Sequence, residues 1–428
     1  MKKRCSRREA IKLAGFGLGS LSLGGHGSLF SPKAFGQGTG KQDNHLVCIQ
    51  LHGGYSASFS CAQPFLNHTF GGITDNNMMS LGNGLFMHNS FNRLPASVLQ
   101  NNVATVGLQH GQSSHPGARS ELFMVNNDLS VLHHIASGMG GPGSIKFAFT
   151  DGAGSTVPKS GSLNGTSMQK VTDMDGLVDA LGGATPSPYS PPDRSLTTSA
   201  LIAAQKLSRP QLEQHQQLIT VNNGFSGGIE ALKQPVQSFD INSLLSAYSL
   251  TSRVVGKESL ASQLACAELL MLSGTNVTLC RQGDWDTHGD PDQSKAFRKM
   301  RSEIIPALST FVTRVFGDSS NNIAPLPAFE GKNVTIVIMG DFCRTGPKSQ
   351  HGTGLAATVI SKNVKTGSTA TVNRSGVIGP NTHNVGAFWA FLATTVNAPQ
   401  NTIDEVVGLG GDGTQLGLNE HMLALGRA

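Results

Sequence analysis

Long apolar runs are missing from this chain. The most apolar stretch near the start, Leu13 to Gly25, is short and rich in Gly and Ser, which is too little to hold a membrane span. No later stretch reaches spanning length without charges, and no cysteine sits where a lipid-anchor site would follow the apolar run. Cysteine is scarce altogether, with six in 428 residues. Cys48, Cys61, Cys266, Cys280 and Cys343 lie beyond residue 36, an odd set that makes no disulfide framework in so long a chain. At least one of them is expected to be free or to pair between chains. Charge is also sparse, at 14%. With 52 glycines and many Ser, Thr and Asn, the composition is that of a loop-rich globular protein.

What charge there is sits unevenly. Lys2, Lys3, Arg4, Arg7 and Arg8 form a basic start, and Ser6-Arg7-Arg8-Glu9-Ala10-Ile11-Lys12 has the pattern of a twin-arginine export signal. Ala34-Phe35-Gly36 offers a small-x-small cleavage site before Gln37. Residues 1–36 hold seven Lys/Arg and one Glu, so the formal +5 of the whole chain falls to −1 without them. The isoelectric point near 8.9 therefore belongs to the leader. It argues for neither nucleic acid nor anionic membrane as a partner. The expectation is a soluble protein carried by the twin-arginine translocase to the periplasm or beyond, with residues 37–428 as one large α/β domain.

The densest chemistry lies in Gly283-Asp284-Trp285-Asp286-Thr287-His288-Gly289-Asp290. A β-branched, apolar strand precedes it (Asn276 to Cys280). Asp290-Pro291 reads as an N-cap and first position of a helix that buries Phe297, Met300, Ile304, Leu308, Phe311 and Val315 and is kinked at Pro306. Asp286 and His288 thus leave the C-terminal end of a strand, where open α/β sheets place ligands. Carboxylate and imidazole at such a place suit a hard or borderline metal ion. A polar loop that caps the next helix explains the same residues equally well.

Three further strands end alike. Leu46–Leu51 runs into His52-Gly53-Gly54-Tyr55-Ser56, and Val103–Leu108 into Gln109-His110-Gly111-Gln112-Ser113-Ser114-His115. Val334–Met339 leads to Gly340-Asp341-Phe342-Cys343-Arg344-Thr345 and then Gln350-His351-Gly352. Four polar strand ends, with helices between the strands, predict a doubly wound, mostly parallel sheet with helices on both faces and one ligand-bearing rim. Ile145–Phe149 reads as another strand, and residues 150–250, rich in Pro, Ser and Gln, as an insertion or cap.

Together, Leu46–Ser58, Leu94–Met124, Leu260–His288 and Val334–Thr345 resemble the exported bacterial family known as domain of unknown function 1501. That family belongs to the alkaline-phosphatase and sulfatase-like superfamily. Trp285-Asp286-Thr287-His288 is the most specific match, and Asp341-Phe342-Cys343-Arg344-Thr345 is close to the family's Glu-Phe-Gly-Arg-Thr. The resemblance implies an alkaline-phosphatase-like core whose active members carry two divalent metals and a hydroxyl nucleophile. The chain departs from the pattern at Ser56, where an Asp is usual, and at Gly354 and Leu355, where an Asp-His pair is usual.

Asp286, His288 and Asp341 remain as metal ligands, with His351 and His115 as substitutes, enough for one weakly held zinc, calcium or magnesium ion or for none. Ser56 or Ser58 could act as nucleophile, the Ser114-His115 pair could supply a general acid in His115, and Arg344 could hold a phosphate or sulfate oxygen. Turn-forming serines, a helix-capping Ser114 and an Arg344–Asp341 ion pair are the structural alternatives. Two functions follow: a metal-dependent hydrolase of small anionic esters with a degenerate site, or a non-catalytic envelope protein that binds a partner through the same rim. Export is directly testable: Arg7-Arg8→Lys-Lys should leave the protein in the cytoplasm, and an unchanged distribution on cell fractionation would rule out the twin-arginine assignment.

Overall fold

Asn44–Leu51 (β1) is buried along nearly its whole length because it lies in the middle of the sheet with strands on both sides. The other principal strands are Val103–Gln109 (β2), Phe147–Thr150 (β3), Thr166–Val171 (β4), Val277–Gln282 (β5), Asn333–Gly340 (β6) and Gly354–Ser361 (β7). They stand in the order β2-β7-β6-β1-β5-β3-β4, and short strands at both edges complete a ten-stranded sheet. These are seen in a computed structural model, which describes residues 43–56, 59–62, 77–126, 128–140, 145–151, 161–180, 240–256, 259–290, 292–346, 348–370, 376–379 and 383–409, with a few isolated positions besides. Residues 1–42, where the leader and its cleavage site are expected, Ser58, and most of residues 181–239 lie outside the described residues.

Alternation along β1 assigns its side chains to two cores. Val47, Ile49 and Leu51 pack with helices Leu260–Leu272 and Ile305–Phe316. Leu46 and Cys48 pack on the other face with helices Val131–Met139 and Val385–Thr395. The sheet is therefore covered on both faces, which is why its strands read as unbroken apolar runs. Cys48, Cys266, Cys280 and Cys343 are free and buried, as small apolar side chains.

The sheet is mostly parallel, as expected, and four details refine the expectation. β7 runs antiparallel between β6 and β2. The chain between Gly340 and Gly354 contains no crossover helix, and a short return of that kind permits only antiparallel pairing. Residues 166–171, expected within a cap, instead extend the main sheet beside β3. The helix after Asp290 begins only at Ser294, because Gln293 adopts a left-handed conformation; Asp290 still caps it, accepting from Ala296 N–H at 3.1 Å. Pro306, expected to kink this helix, follows a π-turn over Met300–Ile304 that accommodates it, since proline cannot supply the N–H that a regular turn needs. Among the described residues no helix is long and apolar enough to cross a membrane.

Gly354 and Leu355, the positions matched to a family Asp-His pair, begin β7 inside the sheet. Leu355 is fully buried in the second core. A Cβ on Gly354 would lie 2.4 Å from the carbonyl oxygen of Leu108 on the neighbouring strand. No side chain fits there without parting β2 from β7. Gly354→Ala should therefore cost about 1–3 kcal/mol by overpacking, read as a lower denaturation midpoint; an unchanged midpoint would contradict this packing.

Candidate metal centre

β1, β2, β5 and β6 all point the same way, so the loops that follow them meet at one rim. Backbone bonds tie the loops together: Trp285 N–H donates to His52 O at 3.1 Å, and Tyr55 N–H to Phe342 O at 3.0 Å. The two glycines after β1 serve this contact rather than a ligand. Both have positive φ, and a Cβ on Gly53 would lie 2.3 Å from Asp286 N while one on Gly54 would meet the Arg344 side chain.

Of the three carboxylates in the 284–290 loop, only Asp286 reaches the rim. Asp284 pairs with Lys299 at 3.3 Å and Lys295 at 3.6 Å. Asp290 caps its helix, and Trp285 is buried beneath. Asp286 Oδ1 accepts from Arg344 Nη2 at 2.7 Å. Partial burial pushes the Asp286 pKa up, but Arg344, with His288 and His115, outweighs it and holds the group below the usual carboxylate value. Asp286 is ionised at neutral pH.

Four side chains converge there. One ligand atom each from His115, Asp286, His288 and His351 lies within 4.8 Å of the other three. Hydrogen bonds behind the group fix which nitrogens face it. His115 Nδ1 is 2.8 Å from Asp341 Oδ2. A carboxylate only accepts, so in the neutral ring Nδ1 carries the proton and Nε2 is a lone pair. That Nε2 is buried, has no hydrogen-bond partner among the described residues, and lies 3.4 Å from Asp286 Oδ2. His351 Nδ1 donates to the Ser113 carbonyl at 2.5 Å, which leaves its Nε2 as a lone pair too, 2.6 Å from His288 Nε2. Burial, followed by the nearby Arg344, His115 and His288, holds the His351 pKa below its ordinary value despite the Ser113 bond, so the ring is neutral. His288 donates to His351 in this arrangement and needs only a change of tautomer to face the group with a lone pair as well.

Lone pairs and a carboxylate converging on one place, with two of the three rings oriented by a carboxylate or carbonyl behind them, are what a metal-binding histidine set requires. Three imidazoles and one carboxylate suit zinc and similar transition ions. Calcium and magnesium, which want all-oxygen shells, fit poorly. Neighbouring ligands on tetrahedral zinc lie about 3.3 Å apart, given bonds of about 2.0 Å. The 2.6 Å His288–His351 pair would open slightly and the longer pairs would close.

The remaining predicted residues fall elsewhere. Asp341, expected as a ligand, is fully buried behind His115, and its oxygens also accept from Gln50 Nε2 at 3.1 Å and Gly53 N–H at 3.2 Å. Arg344 is turned inward: it donates to the carbonyls of Gly53, Trp285 and Ser349 as well as to Asp286, and is 1% exposed. Its structural partner is thus Asp286, and the one nitrogen left without a partner, Nε, is buried away from any substrate oxygen. Ser114 N-caps the helix His115–Leu122 through Gly117 N–H. Ser56 is buried and outside the four-residue group. His133 and His134 are also accounted for, one in a capping box with Ser130 and the other on Glu405.

Sequence reasoning missed Arg119 and His52. Arg119 Nη1 contacts His52 Nε2 and lies 3.5 Å from Asp341 Oδ2. Burial lowers the His52 pKa; Asp341 opposes this, while Arg119, Arg281 and His115 add to it, so His52 is neutral and can accept. The signal was present in the sequence: Ser114-His115-Pro116 reads as a helix start, which puts Arg119 one turn beyond His115 on the same side.

A scan of protein-family models, a search of curated proteins and a search of solved structures each found no match to this chain.

Proposed function

We propose that the protein binds one divalent transition ion, zinc first among them, through His115, Asp286, His288 and His351. We further read it as an exported, sulfatase- or phosphatase-like hydrolase of small anionic esters. The observation that carries the metal reading is the convergence of two lone-pair-fixed Nε2 atoms and an ionised carboxylate on one point. An ion held there supplies an activated water at neutral pH. The chain contributes the orientation: Asp341 and the Ser113 carbonyl set two rings, and Arg344 sets Asp286. Asp286 and His288 are about half exposed, which leaves one side of the group open to substrate. The twin-arginine leader and the family resemblance support a periplasmic or secreted place of action.

A second reading keeps the ion and drops the chemistry. Ser56 is buried and Ser114 is engaged as a cap, so neither stands as a nucleophile at the group. Four protein ligands can also close a zinc site for a structural role. In that case the rim of a non-catalytic envelope protein is stabilised by the ion and binds a partner.

Metal analysis decides first. Protein purified from the periplasm should hold about one equivalent of zinc, lost in His288→Ala; two equivalents, or none after zinc loading, would refute the assignment. Loaded protein should hydrolyse a nitrophenyl phosphate or sulfate if the first reading holds, and leave both intact under the second. Asp341→Asn removes the acceptor that fixes His115 and should weaken zinc affinity about 10–100-fold, measured by competition with a chromogenic chelator. Unchanged affinity would show that Asp341 does not position the ring.

A further inference from the structure

Thr287 stands between two members of the group yet turns away from it. Asp286 and His288 are about half exposed, while Thr287 is buried. Its Oγ1 lies 3.1 Å from Oγ of Ser349, a fully buried residue in the turn that leads to His351. Gln293, just before the following helix, is fully buried too. Its Nε2 donates to Ser349 Oγ at 2.9 Å and to the Asp290 carbonyl at 2.9 Å. A carbonyl only accepts, so the direction of the amide is fixed. One hydroxyl thus joins the 284–290 loop, the start of its helix, and the hairpin that pairs Arg344 with His351.

This junction is held against opposing costs. Gln293 and Ser349 both have a left-handed backbone, with φ of 58° and 54°. Residues other than glycine keep that conformation only where their surroundings over-determine it. Gln293 Oε1 is also buried with no partner among the described residues, a further cost. The costs fall where two ligand-bearing loops meet. His288 and His351 face each other across this seam, Nε2 to Nε2, at 2.6 Å. His351 is oriented by the Ser113 carbonyl, but among the described residues no carboxylate or carbonyl is bonded behind the His288 ring. The place of His288 therefore depends on the backbone that carries it, and the buried Thr287 next to it is what ties that backbone to the His351 hairpin. The Ser349 carbonyl accepts from Arg344 Nη1 at 3.1 Å, which links the junction to the guanidinium that holds Asp286.

Resting on the metal reading above, we infer that Ser349, bonded to Thr287 and Gln293, is the positioning residue that sets the His288–His351 spacing and with it the affinity and geometry of the metal site. Thr287→Val replaces one hydroxyl of the junction by a methyl, and Thr287→Ser keeps it. Ser349→Gly removes the other hydroxyl while suiting the left-handed backbone, so it serves where the valine variant does not fold. Competition with a chromogenic chelator should show zinc affinity about tenfold weaker in Thr287→Val and Ser349→Gly, and near wild type in Thr287→Ser. Cobalt(II) loaded in place of zinc reports ligand geometry in its visible absorption, which a loss of fold stability alone does not move. Its bands should shift in the two hydroxyl-free variants and return in Thr287→Ser. Wild-type zinc affinity and cobalt spectra in both hydroxyl-free variants would overturn the assignment, as would a Thr287→Ser variant as weak as Thr287→Val. A wild type that takes up neither ion would overturn the metal reading, and this one with it.

Discussion

One buried guanidinium holds the rim together. Arg344 reaches the carbonyls of Gly53 and Trp285, in loops after two different strands, together with the Ser349 carbonyl and the Asp286 carboxylate. Burying a cation is costly unless nearly every donor is met, and here Nε alone is left without a partner. Burial, which disfavours the charged form, pulls its pKa down, while Asp286 and Asp341 oppose the shift. The two glycines that follow β1 exist in relation to this side chain and to the Asp286 backbone, since any larger residue would displace one or the other. Asp286 is thereby fixed at the rim in its ionised form.

A second tier follows from Asp341. Its two oxygens collect Gln50, Gly53 N–H, His115 and Arg119, so this one buried carboxylate both sets a histidine tautomer and anchors a cation. The division of labour is clear when the two acids are compared. Asp286 is half exposed and presents an oxygen to the group, while Asp341 is fully buried and acts through the ring in front of it. An acid at the end of a buried strand is as well suited to orienting a ligand as to being one.

Much of this was legible in the sequence. Leu46–Leu51, Val103–Leu108 and Val334–Met339 announce themselves as strands because both of their faces are buried, and their polar ends do meet. His115 and His351 were nameable as substitute ligands from residue type alone. What stayed hidden depends on direction and depth. β7 has the composition of any buried strand, and only the missing crossover marks it as antiparallel. Arg344 and Arg119 are chemically identical in the sequence; the fold turns one inward and leaves the other at the surface. The Asp341 role was hidden for the same reason, since burial cannot be read from a single acid beside a strand.

The separations along the chain have a kinetic consequence. His115 meets Asp341 across 226 positions, and Arg344 meets Gly53 across 291. Contacts so distant form only after the loop-closure entropy of the intervening chain has been overcome. The four-residue group therefore has no local precursor. The chain must assemble the central sheet before the four side chains can stand together, and loops from three separate parts of the sequence then hold them there.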